Sequence, residues 1–306
     1  MRRNAASWPA ANQWRCGSLA SLFRNYLIVD WSAASTPKTG PDSVWYAWIE
    51  RHRDGRWGYQ SSNPSTRRQA AADIRAKLVE SMKQSRATLA AFDFPLGYPR
   101  GAGPWRLMWK LIASAIRDGE DNVNNRFTVA ARLNQKLKGP FWGRPASQPL
   151  PGLSMRKPAA ASHGLPEMRY TDAWVAGPQS PWKLYGAGSA GGQALTGIPY
   201  LWRLREDLEL SPYVRVWPFE TGLAAPFGAQ QDEPRIVFAE AWPSQLRPKP
   251  RPGEVKDQMQ VRVMAEHFAR LDQAGRLARF FAGPRELSGE RRRAIEREEG
   301  WILGLL

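Results

Sequence analysis

The chain has 306 residues and a mass of 34.5 kDa, room for one large domain or two of ordinary size. With 42% hydrophobic and 24% charged residues, it has the composition of a folded globular protein, which excludes wholesale disorder, a collagen-like repeat and a coiled-coil rod. Its 44 Lys and Arg against 28 acidic residues leave a net charge of +16, a field that favours phosphates or anionic surfaces without naming a partner.

In chain order, the first 29 residues hold Arg2, Arg3, Arg15 and Arg24 and no acid. The apolar run that an export signal needs is broken by Pro9, Asn12 and Gln13. Residues 1–25 are expected to be a disordered extension and 26–306 a single domain. Residues 26–30 (YLIVD), 43–50 and 56–60 have strand composition around the turn Asp54-Gly55 and predict three strands joined as hairpins. Ala71, Ile74, Leu78 and Met82 recur at helical spacing over 67–84, with Ser65 or Thr66 as cap. Residues 88–94 (TLAAFDF) read as a strand buried on both faces that ends in Asp93.

Residues 104–138 predict two helices, and 139–192 is so rich in Pro, Gly and Ser that 104–192 reads as an insertion with long loops. A helix over 194–208, strands over 214–219 and 235–241, and a long amphipathic helix over 254–281 follow, then a last helix starting at Ser288. No run of about 18 apolar residues occurs, so no membrane span is expected. The single cysteine, Cys16, excludes an internal disulfide and multi-cysteine metal sites and fits a reducing, cytoplasmic setting. His52, His163 and His267 have no metal-ligand spacing, so a metal site must be built from carboxylates and would suit Mg²⁺ or Mn²⁺.

Four acids are placed for such chemistry. Asp30, Asp93 and Glu240 close strands, and Asp257 opens the long helix; together they could ligate one or two divalent ions that clamp attacking and leaving oxygens in phosphoryl transfer. Each also has a plainer role open to it: a turn acid for Asp30 and Asp93, a salt bridge for Glu240, a dipole-favoured first-turn acid for Asp257. Glu220 is held in reserve. Two turns suit a phosphate: Trp31-Ser32-Ala33-Ala34-Ser35, and the glycine-rich run from Gly186 through Gly188 and Ser189 that opens a helix. Neither is a Walker A motif. Arg126, Arg132 and Arg144 are candidate phosphate contacts, and His163 a candidate acid or base.

The segments IVDWSAAS, AFDFPLGYPRG, GSAGGQALTGIPYLWRLR, VFAEAWPS and VKDQMQ resemble an uncharacterised bacterial family of nuclease-like proteins in the ribonuclease H-like superfamily. The resemblance runs from about residue 26 to the end of the long helix. It rests on an acid closing the first strand, Asp-x-Pro after the fourth, Glu-x-aromatic-Pro after a late strand and an acid opening the last helix. It implies an α/β fold with a ribonuclease H-like mixed sheet flanked by helices, and a Mg²⁺- or Mn²⁺-dependent phosphodiester hydrolase acting on nucleic acid or a nucleotide-like phosphorylated ligand. Some relatives carry names tied to molybdopterin-guanine dinucleotide synthesis, although this sequence lacks a glycine-rich nucleotidyltransferase start. The superfamily also includes actin-like phosphotransferases, in which Asp30 would position Mg²⁺–ATP and the turn at Ser32 and Ser35 its phosphates. A non-catalytic protein that binds a phosphorylated cofactor or RNA is the third reading.

Overall fold

The computed structural model describes residues 21–52, 54–159, 164–226, 235–246 and 248–305. Six strands, β1 (Asn25–Asp30), β2 (Trp45–Arg51), β3 (Trp57–Ser62), β4 (Thr88–Phe92), β5 (Val214–Val216) and β6 (Ile236–Glu240), form one mixed sheet in the order β3-β2-β1-β4-β6-β5. The first three are an antiparallel meander, as expected from the hairpin pattern; β4 pairs parallel to β1, β6 to β4 and β5 to β6. Parallel strands covered on both faces are near-continuous apolar runs, and every residue of β4 (TLAAF) and β6 (IVFAE) is buried, Thr88 and Glu240 included.

Alternation of side chains along the strands divides the core into two layers. Leu27, Val29, Trp48, Ala90, Phe92 and Phe238 pack beneath α1 (Arg67–Lys83), α2 (Trp105–Ala115), α3 (Arg126–Leu137) and α5 (Ala190–Arg205). Tyr26, Ile28, Ala47, Leu89, Ala91 and Val237 pack beneath α6 (Lys256–Gln273) and the C-terminal segment. Thr66 caps α1, its hydroxyl accepting from the Gln69 N–H. Gly197 lets α5 approach the sheet: a Cβ there would overlap the Phe94 ring. The connection 138–189 carries the short helix α4 (Tyr170–Trp174) and is anchored by Trp182, which is fully buried and stacked on Tyr98 at 5.0 Å. Among the described residues no helix is long and apolar enough to cross a membrane.

Two expectations are corrected. Residues 1–20 lie outside the described residues, but the extension does not reach 25: the Leu22 and Phe23 N–H groups donate to Asp272 at 2.9 and 2.8 Å, and Phe23 is buried. The long helix stops at Gln273 because Gly275, at φ +64°, takes the left-handed turn that ends helices; α7 (Ala278–Phe281) follows separately. The last helix starts as expected, with Ser288 capping α8 (Gly289–Ala294). It then widens into a π-turn and ends at Gly300, after which Trp301–Leu305 lies buried and the Leu303 N–H donates to the Glu240 carbonyl.

Candidate functional site

The parallel register of β1 and β4 brings two of the expected acids together. Val29 is opposite Phe92, and the Asp93 N–H donates to the Val29 carbonyl at 2.8 Å, so Asp30 and Asp93 leave adjacent strands side by side. Both share the face of Ile28 and Ala91, on which α6 lies. The first turn of α6 adds Asp257, whose carboxylate accepts from the Asp42 N–H at 2.6 Å. Asp30, Asp42, Asp93 and Asp257 all line one cleft of about 790 Å³.

The electrostatics of this cluster are unbalanced. Burial, followed by the charges of Asp93, Asp257 and Asp42, pushes the Asp30 carboxyl well above its ordinary range, with only Lys256 opposing. Burial, then Glu240 and Asp257, pushes Asp93 up to about 7. Neither carboxylate accepts a hydrogen bond from a described residue. Asp257 is raised chiefly by burial, against which the Asp42 N–H works. Among the described residues no three His, Cys, Asp or Glu side chains stand together as a ready ligand set. A cation held there would take only one or two carboxylates from the chain and its remaining ligands from water.

Glu240, expected as a further ligand, is committed elsewhere. As the next alternate residue after Phe238 it leaves its strand on the other face from Asp30, yet with Arg169 and Asp172 it still lines the same cleft. Arg169 grips both its oxygens at 2.6 Å, and the Leu96 N–H donates to it at 3.0 Å. The same guanidinium holds Asp172 at 2.7 and 2.9 Å, so one cation serves two buried carboxylates. Burial raises the Glu240 pKa while Arg169 works against it. The salt-bridge role is thus the one Glu240 fills, and through Leu96 it holds the turn that follows Asp93. Glu220 is likewise paired, with Arg205 at 2.7 Å, and does not line the cleft.

Both phosphate-suited turns reach the same cleft. Ser32 lines it, its hydroxyl accepting from the Ala34 N–H and donating to the Asp42 carbonyl. Gly188 and Ser189 line it just before α5, and Gln193 ties the two turns by donating to the Trp31 carbonyl at 2.5 Å. Ser35 does not line the cleft; its hydroxyl accepts from Arg126, which does. Arg144 bonds loop carbonyls instead. His163 falls outside the described residues. Sequence reasoning missed Asp42, Arg169, Asp172, Tyr185, Gln193 and Trp242; only Asp42 carried a signal, since a Pro-Asp turn tolerates the positive φ (54°) it adopts. Comparison with protein-family models, with curated proteins and with solved structures found no match.

Proposed function

We propose that the protein is a divalent-metal-dependent phosphodiester hydrolase of nuclease-like type, built on a ribonuclease H-like sheet with 104–192 as an insertion. The observation that carries this reading is the pair Asp30 and Asp93: two adjacent carboxylates at the mouth of parallel strands, mutually repelling and without a hydrogen-bond donor among the described residues. A meander followed by parallel strands, with acids ending the two central ones, supports the architecture. Asp30 and Asp93 would hold Mg²⁺ or Mn²⁺, which when bound supplies charge neutralisation and polarises a phosphoryl oxygen. Asp257, which accepts from the Asp42 N–H, would orient a water and accept its proton. The net charge of +16 favours a nucleic-acid substrate. The two turns at one cleft favour a second reading, an ATP-dependent phosphotransferase.

Calorimetric titration of Mn²⁺ into the wild type and an Asp30→Asn/Asp93→Asn variant tests this. Saturable binding lost in the variant is expected, and the loaded protein should cleave single-stranded DNA or RNA. Consumption of ATP alone would transfer the assignment to the phosphotransferase, and a folded wild type that binds no Mn²⁺ would overturn both.

A further inference from the structure

A second part of the cleft wall, built from the start of α3, the segment 185–189 and the start of α5, has the opposite electrostatic character. Arg126 lines the cleft yet is only 7% exposed. One terminal nitrogen donates to Ser35 Oγ and Asn124 Oδ1, at 3.1 and 2.9 Å, and its guanidinium lies 4.3 Å from the Phe127 ring centre. Its Nε is buried without a partner among the described residues.

The carboxylate nearest in effect, Asp118, is already gripped by Arg67 at 2.6 and 2.7 Å and by the Tyr200 hydroxyl. Arg126 therefore forms no ion pair among the described residues. Burial and the neighbouring Arg67 bring its pKa down to about 10, and none of the cleft acids acts on it. A buried cation with a free donor costs stability unless an anion completes it.

Lining the same cleft, Ala187, Gly188 and Ser189 have N–H groups that bond to no described residue, and they lead into α5, a 16-residue helix whose N-terminus adds its dipole. Tyr185 sits on the same wall, 53% exposed, with its edge against Phe127.

We propose that Arg126 and the backbone N–H groups of 187–189 seat a phosphate of a nucleotide, with Tyr185 placed to stack on its base. As a statement of substrate class this rests on the hydrolase reading, whereas the binding itself needs no metal. The shared chemistry is a phosphate next to a base, which a mononucleotide or a single strand could supply.

The full-length protein, in EDTA, is titrated with inorganic phosphate, AMP and a short oligothymidylate. Saturable binding of AMP or the oligonucleotide is expected, roughly tenfold tighter than inorganic phosphate because of stacking; the tighter of the two names the source. Arg126→Gln should weaken every one of these ligands by about tenfold or more. Tyr185→Ala, at an exposed position, should weaken AMP and the oligonucleotide alone. Asp30→Asn/Asp93→Asn, in EDTA, should bind them at least as well as the wild type, and a wild type that binds AMP but no Mn²⁺ would count against the hydrolase and leave the seat standing. No binding to the folded wild type, or unchanged affinity in folded Arg126→Gln, would overturn the seat. If Arg126→Gln fails to fold, unchanged AMP affinity in Tyr185→Ala would overturn it instead.

Discussion

Replacing Asp93 with asparagine should make the metal-free protein more stable at neutral and alkaline pH. In the folded state burial and the charges of Glu240 and Asp257 push this carboxyl from 3.8 up to about 7. The folded state consequently binds more protons than the unfolded chain between those values, and linkage makes stability fall as pH rises through that window. At about 1.36 kcal/mol per pH unit the full cost above pH 7 has a ceiling of ~4 kcal/mol. Asp93 retains some exposure to the cleft, and solvent screening there brings the expected gain to about 2 kcal/mol. Asparagine has nearly the same shape, and no described residue donates a bond to the native carboxylate that it would forfeit. Urea denaturation of both proteins in EDTA, at about pH 5 and about pH 8, measures the difference. The variant should be more stable at the higher pH, and the gap should narrow at the lower one. Mn²⁺ should then stabilise the wild type and not the variant. Equal stabilities at both pH values, or a less stable variant at the higher one, would refute the claim that Asp93 is an uncompensated charge.

Two further outcomes follow from the packing around the site. Arg169→Met leaves Glu240 and Asp172 buried without their cation and should cost about 3–5 kcal/mol in chemical denaturation; a loss under about 1 kcal/mol would mean that these carboxylates find other partners. Gly197→Ala inserts a methyl group into the Phe94 ring, one residue from Asp93, and should cost about 1–3 kcal/mol by overpacking, read as a fall in the thermal midpoint together with weaker Mn²⁺ binding.

Much of the scaffold was readable from local pattern. The apolar runs ending in Asp30, Asp93 and Glu240 became β1, β4 and β6, and the caps at Thr66 and Ser288 sit where side-chain chemistry puts them. Where the long helix ends was also written locally, in Gly275, although its apolar spacing continues past that point. These features depend on residues within a few positions of one another, so periodicity and turn chemistry suffice.

The roles of the acids were decided by contacts between distant segments. Spacing grouped Glu240 with Asp30, Asp93 and Asp257, but the partner that claims it, Arg169, lies 71 residues away in the loop-rich connection. Asp257 is fixed by the N–H of Asp42, 215 positions earlier. Arg67 takes up Asp118, and Arg126 keeps an Nε without a partner among the described residues. Composition and spacing determine which residues can carry charge at strand ends and turns. Which of those charges are neutralised, and which are left facing the cleft, is set by burial and long-range pairing, because a carboxylate's energy depends on the donors and charges that folding brings within a few ångströms of it.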